Sequence, residues 1–325
     1  MGKNDNKKLQ TAKNKKDDEF YTLYETVEKE IPFYKEALKG KIIYCPCDDF
    51  RESNFVKYLK DNFQGLGLKK LISTNYDTGK GAWKYIYDGT TESSEKLQGN
   101  GDYNSPECIS LRDSADVIIT NPPFSRFRDF YSWAKVKNIL LVCTIGAFTY
   151  KDIFLDLYAK KVWPGCSMRE GSCLFKHPNG HREINGVKYA ALSNASWMTN
   201  LIPQGYTTPK LVLNEKTYSS SEYPKYDNYD AIEVSKVKDI PKDYEGVMGV
   251  PITILRFYDP YTHGIGVEYE ILGQTGNKDW AENECDFYEK PDEEEIKNTD
   301  LELEGILRPW IKGKVIFRRF LLKRK

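Results

Sequence analysis

The 325-residue chain has no run of about 18 apolar residues, and its mean hydropathy of -0.63 argues against a membrane span. Its first residues lack the apolar stretch of a secretory signal. Cysteine is sparse: seven in so long a chain, an odd number, make no disulfide framework, and the expectation is a reducing, cytoplasmic setting. A charge bias is absent as well. Lys plus Arg and Asp plus Glu both count 48, so no whole-protein field draws in nucleic acid or membrane, and local patches must hold any such partner.

What is abundant is aromatic: 14% of residues, with 23 tyrosines. A tyrosine offers a stacking face and a hydroxyl, suited to base contacts but equally to half-buried strands. With 40% hydrophobic residues the length supports one large domain or a core domain with a smaller one appended. Residues 1–18, carrying Lys13, Lys15 and Lys16 among other lysines, read as a flexible basic arm. Phe20, Leu23, Val27, Ile31 and Tyr34 recur at helical spacing, with Gly40 as a stop. Short apolar runs at 41–45, 69–74, 116–120 and 138–143 read as strands, with helices between them, one opening at Ser53 as N-cap. Trp83–Tyr87 before Asp88-Gly89 predicts a hairpin at the sheet edge. A further helix near 152–161 continues the alternation, so the fold class is α/β, doubly wound. After about Leu201 the texture changes to dense Tyr and Pro with short β-like runs, then an acidic stretch at 282–304 and a basic C-terminus.

Asn121-Pro122-Pro123-Phe124, directly after an apolar strand, carries the chemistry. By background composition this tetrapeptide arises by chance in well under about 1% of such chains, so a mere structural turn is the weaker explanation. The sequence suits methyl transfer to a conjugated amine, a poor nucleophile whose lone pair is delocalised into its ring. The Asn side-chain oxygen and the Pro122 carbonyl can each accept one N–H, aiming the nitrogen by position and electrostatics. The prolines stiffen the loop, and Phe124 offers a face for a flipped base. The carboxyl end of a parallel strand is also where α/β ligands bind.

Further blocks resemble the EcoRI-type N6-adenine DNA methyltransferases. They are Asp18-Glu-Phe-Tyr-Thr22, Cys45-Pro-Cys-Asp-Asp49, Ser53-Asn-Phe55, Gly101-Asp-Tyr103, Ile119–Ser125, Ser196-Trp-Met-Thr-Asn-Leu201, Tyr223–Ile232 and Gly246–Ile252. The resemblance implies a Rossmann-like, seven-stranded methyltransferase sheet using S-adenosylmethionine, with a C-terminal DNA-recognition region. It divides the chain into the arm at 1–18, a catalytic and cofactor-binding domain at 19–202 and a target-recognition region at 203–325. It implies a site-specific enzyme methylating N6 of a flipped-out adenine in duplex DNA, in restriction–modification. A cognate restriction endonuclease would then be a partner in function, not one physically bound.

Carried over residue by residue, Asn121, Pro122 and Phe124 take the catalytic roles. Phe20, Tyr21, Thr22, Asp48, Asp77, Asp102 and Tyr103 hold the cofactor, while Pro123, Trp197 and Asn200 hold the target base. For the ribose hydroxyls Asn75 and Asp77 are both open, and Trp197 is either a second ring opposite Phe124 or a core tryptophan. The chain has Cys-Pro-Cys-Asp-Asp in place of a Gly-rich turn after the first strand, which makes backbone cradling of the cofactor less secure. Phosphate contacts are expected from Lys13, Lys15 and Lys16 and from Arg318, Arg319 and Lys323 in the basic C-terminus. Cys166, Cys173, His177 and His181 have the wrong spacing for a zinc knuckle, and no metal is expected. Other planar amines fit the tetrapeptide too: N4 of cytosine in DNA, adenine in RNA, a glutamine amide in protein. A non-catalytic DNA-binding module is the reading from another class, and the intact tetrapeptide argues against it.

Overall fold

A computed structural model describes residues 20–169, 173–266, 268–276 and 308–325; Lys13, Lys15, Lys16 and the acidic 282–304 stretch lie outside the described residues. The chain enters as a short strand, β1 (Tyr21–Thr22), and only then as helix α1 (Tyr24–Glu30), prolonged by a 3₁₀ turn and a last helical turn to Leu38. The helical spacing is real, since Val27, Ile31, Tyr34 and Leu38 are fully buried. Its first member is not helical, because strand pairing with a segment far along the chain takes hold of Tyr21 and Thr22.

The apolar runs become β2 (Ile42–Cys45) and β3 (Lys70–Thr74), joined by α2 (Asn54–Asp61). Ser53 caps α2, its Oγ accepting the N–H groups of Phe55 at 3.1 Å and Val56 at 3.4 Å. Next come the hairpin strands β4 (Trp83–Tyr87) and β5 (Glu92–Lys96), then α3 (Pro106–Ser114), β6 (Val117–Thr120), α4 (Phe127–Ala134) and β7 (Asn138–Thr144). The Asp88 side chain closes the hairpin by accepting the N–H groups of Thr90 and Thr91. Beyond β7 lie β8 (Trp163–Pro164), β9 (Cys173–Lys176), β10 (Arg182–Ile184), β11 (Val187–Leu192) and β12 (Ala195–Thr199).

The main sheet has the order β5-β4-β3-β2-β6-β7-β12-β8. Its centre, β3-β2-β6-β7, is parallel, whereas β4, β5 and β12 add antiparallel pairings. The sheet is therefore Rossmann-like, but it counts eight strands rather than seven, since the hairpin contributes a polar, exposed edge strand. The chain runs from β2 outward to β3, then returns to β6 on β2's other side, so β2 and β6 flank the switch point where such sheets bind ligands. A second, four-stranded sheet, β1-β9-β11-β10, is entirely antiparallel.

These elements belong to one compact unit, made of the chain through Ala147 and of Val162–Tyr206. The other unit combines Phe148–Lys161 with the chain from Thr207 on. Helix α5 (Lys151–Tyr158) thus leaves the α/β alternation that its position in sequence suggested, and Phe154 packs on Phe320 with ring centroids 5.7 Å apart. The second unit is a sheet of β13 (Ile232–Glu233), β14 (Met248–Val250), β15 (Tyr258–Asp259), β16 (Gly264–Ile265) and β17 (Tyr269–Gln274), plus a small ribbon of β18 (Trp310–Ile311) with β19 (Lys314–Val315). The final strand, β20 (Phe320–Arg324), lies inside that sheet between β14 and β17.

Candidate active site

Three loops at the carboxyl ends of β2, β3 and β6 are tied together by one carboxylate. Asp48, just past β2, donates its backbone N–H to the Thr74 carbonyl at 2.8 Å. Its side chain accepts the Ser53 hydroxyl and the Thr120 hydroxyl, both at 2.6 Å. The carboxyl is buried, and desolvation lifts its pKa to about 6 despite those two hydrogen bonds. Among the described residues no cation acts on it.

Asn121 follows Thr120. Its Nδ2 donates to the Phe20 carbonyl at 2.5 Å, which fixes the amide's orientation. Its Oδ1 is buried and accepts no hydrogen bond among the described residues. Behind it the Pro123 carbonyl accepts the Arg126 N–H at 3.1 Å, which starts the 3₁₀ turn Phe124–Arg126. The Phe124 ring, half-buried, lies 5.4 Å from that of Phe20, and Phe20 in turn contacts His177 at 4.5 Å and Phe175 at 6.1 Å. Thr22 also holds a buried hydroxyl without a partner among the described residues. The structure thus brings Phe20 onto the Asn121–Phe124 turn and Asp48 to the residue before it.

The loop at 97–105 completes the rim. Gly101, at φ 75°, lies so close to the end of β3 that a Cβ there would meet the Asn75 carbonyl oxygen at 2.0 Å. The Asn75 amide is consumed locally, accepting the Trp83 N–H and donating to the Gly81 carbonyl. Asp77 is exposed; its Oδ1 accepts the N–H groups of Gly79 and Gly81, which hold the carboxyl below its ordinary range. Asp102 accepts the Asn104 N–H at 2.9 Å and an Arg126 guanidinium N–H at 3.2 Å. Arg126 covers the ring of Tyr103, which is buried against Phe130 and Trp133.

The structure places several expected positions away from this rim. Trp197 is fully buried in β12, paired with Val142; its ring edge meets Phe55 and its Nε1 donates to the Ser167 hydroxyl at 2.9 Å. It is a core side chain, and the rings actually near Phe124 are those of Phe20 and, through it, His177. Asn200 sits at the opposite, amino end of β7, where its amide accepts the Ile139 N–H at 2.8 Å and donates to the Lys137 carbonyl at 3.3 Å. Both its hydrogen-bonding groups are committed there. Arg319 forms a buried ion pair with Glu233 at 2.6 Å, the side chains being 13% and 6% exposed. Arg318 is part-buried, donating to the Thr149 carbonyl, while Lys323 is exposed on β20. Only Lys323 of these three faces water openly. Missed from sequence were Thr120, Arg126 and His177. For Thr120 the one signal was a hydroxyl ending an otherwise apolar strand.

The family model described as "Adenine-specific methyltransferase EcoRI" matches residues 8–325. The chain belongs to this family. Among relatives, it is 40% identical over 286 residues to the Type II methyltransferase M.EcoRI of Escherichia coli, covering 78% of this chain and 87% of that protein. To the Type II methyltransferase M.MpnI of Mycoplasma pneumoniae it is 36% identical over 263 residues, 77% of this chain and 82% of the relative. The Mycoplasma genitalium protein M.MgeORF184P has the same identity and coverage. This EcoRI-family adenine-specific methyltransferase therefore uses a methyl donor, and the rim of the Rossmann-like sheet is where its chemistry is to be sought. Among the described residues no helix is long and apolar enough to cross a membrane.

Proposed function

We propose that the protein methylates N6 of adenine at a specific site in duplex DNA, with S-adenosylmethionine as donor, in a cytoplasmic restriction–modification setting. The observation that carries this is the Asn121 amide: its N–H end is locked to the Phe20 carbonyl, and its oxygen is buried without a partner. An orphaned buried acceptor costs about 1–3 kcal/mol, and an exocyclic amino group entering the site would relieve it. The Pro122 carbonyl accepts the second N–H, so the nitrogen lone pair is drawn out of the ring and held in one direction. Phe124 stacks on the extruded base, with Pro123 stiffening the turn beneath it.

The donor set suits the cofactor. Asp48, a buried carboxylate with no cation beside it, meets the ammonium of its methionine end; Asp77 takes the ribose hydroxyls, since Asn75 is already committed; Asp102 accepts the adenine amino group. Phe20, Thr22 and Tyr103 form the remaining wall, while Tyr21, expected there too, projects from the opposite face of β1. When bound, the cofactor supplies a methyl group on a sulfonium centre. The chain's own part is to orient the acceptor nitrogen and exclude water, and no covalent enzyme intermediate is needed. The second unit supplies sequence recognition, and an endonuclease sharing the target sequence acts separately.

The test is transfer of a radiolabelled methyl group to duplex DNA, RNA and protein in parallel, followed by identification of the modified base. N6-methyladenine confined to one short duplex sequence is the expected result. Label in RNA, in protein or on cytosine, with none on adenine of duplex DNA, overturns the reading.

A further inference from the structure

We propose that the outward face of the small sheet β1-β9-β11-β10 grips the phosphodiester backbone of the duplex beside the extruded base. Its register places Tyr21, Lys176, Tyr189 and Arg182 directly opposite one another, one from each strand. Residues on one rung of an antiparallel sheet project from the same face. The other face is the inner one, for Thr22, Phe175 and Leu192 on it are buried. The Tyr-Lys-Tyr-Arg row therefore points outward: Tyr21 is 38% exposed, Lys176 and Arg182 are exposed, and Tyr189 is half-buried.

The chemistry of this row is that of a phosphate-binding surface. Two cations alternate with two phenols, and neither Lys176 nor Arg182 is ion-paired with a carboxylate among the described residues. Strands lie about 4.8 Å apart, so the Lys and Arg backbones are separated by roughly 10 Å, a span that two long side chains can lay along one strand of DNA. Arg319 makes the contrast, since Glu233 has already neutralised it. The row is also in the right place. Tyr21 adjoins Phe20, whose carbonyl holds the Asn121 amide, so the cationic face begins one residue from the group that receives the base. The β10–β11 turn is a tight Asn185-Gly186 turn, with φ 51° and 76°, and the strand register it closes sets Arg182 on its rung. The occupant is a polyanion with regularly spaced charges, and this identification rests on the duplex-DNA activity proposed above.

The test compares the full-length protein with the double variants Lys176→Gln/Arg182→Gln and Lys176→Arg/Arg182→Lys. Duplex affinity is measured across a salt series, with cofactor affinity and kcat at saturating DNA alongside. The neutral variant should bind duplex roughly tenfold or more weakly near 0.1 M salt, and its log–log salt slope should be shallower by about two. Its cofactor affinity and saturated kcat should stay within about twofold, and the charge-retaining variant should keep the wild-type slope. Unchanged affinity and slope in the neutral variant, from a wild type that methylates duplex DNA, would overturn this inference and leave the activity standing. So would equal loss in both variants. A wild type that transfers no methyl to duplex DNA removes the activity and this surface together.

Discussion

Asp48 shows how one side chain links sequence, energetics and ligand. Its carboxyl titrates at about 6 instead of near the ordinary 3.8, because burial penalises the anion more than Ser53 and Thr120 stabilise it. The folded state therefore holds this proton where the unfolded chain has lost it, so stability attributable to Asp48 falls as pH rises from about 4 to about 6. Above that window the empty protein bears the full cost of a buried anion, at most about 3 kcal/mol. Asp48→Asn should accordingly melt at the same temperature as wild type or higher at pH 7.5, with the difference shrinking at pH 5, as followed by thermal denaturation. The same substitution should weaken S-adenosylmethionine binding tenfold or more by calorimetry, since the ammonium loses its counter-charge, and wild-type affinity should decline below about pH 6. Asn121 should behave differently, for the proposed role confines it to the acceptor. Asn121→Ala should cut single-turnover methyl transfer by about 10²–10³ while cofactor affinity stays within a few-fold. Equal losses of transfer and cofactor binding would remove Asn121 from that role.

The elements of the first unit follow from short-range pattern wherever both faces of a strand are covered. Ile42–Cys45, Lys70–Thr74, Val117–Thr120 and Asn138–Thr144 are such strands, and their apolar runs were legible as a parallel sheet. What sequence could not supply is long-range pairing. Phe20 fits the helical spacing of Val27 and Ile31, yet β1 pairs with β9 some 150 residues away, and that pairing wins. The aromatic block at Trp197 reads equally as pocket wall or core, and only the packing of β12 between β7 and β8 decides for the core. Asn200 belongs to the same block, but its position just past β12 gives its amide to the backbone of Ile139 and Lys137. The Asn121 turn was legible because its residues carry their own geometry, whereas the Asp48–Thr120 bond joins residues far apart in sequence. The loop at 97–105 offers an element-scale test. Gly101→Ala would force a Cβ against the Asn75 carbonyl at a left-handed φ, so the loop must move off the end of β3. The expected outcome is a loss of about 1–3 kcal/mol in denaturant unfolding, with weaker cofactor binding as Asp77 and Asp102 shift. Unaltered stability and affinity would show that this close approach does not position the rim.

At the scale of the whole molecule, zero net charge leaves affinity for DNA to patches, and the decisive matter is which cations are already neutralised. The basic C-terminus reads from sequence as one such patch, but a basic residue in a strand can face a carboxylate as readily as water. Arg319 does so. Its guanidinium holds Glu233 through Nε and Nη2, and the same carboxylate accepts the Tyr226 hydroxyl at 2.5 Å. These groups form a buried network in the second unit, so Arg319 acts on stability. Removing the cation alone leaves Glu233 buried and uncompensated, a change that typically costs about 3–5 kcal/mol. Arg319→Gln should therefore lower the melting temperature markedly while, below that temperature, the salt slope of duplex binding stays at the wild-type value. Replacing both partners in Arg319→Met/Glu233→Met should recover much of the lost stability, because the desolvation of two charges is no longer required. If Arg319→Gln instead flattened the salt slope with stability intact, Arg319 would be a phosphate contact after all, and the buried pair with Glu233 would have to open when DNA binds.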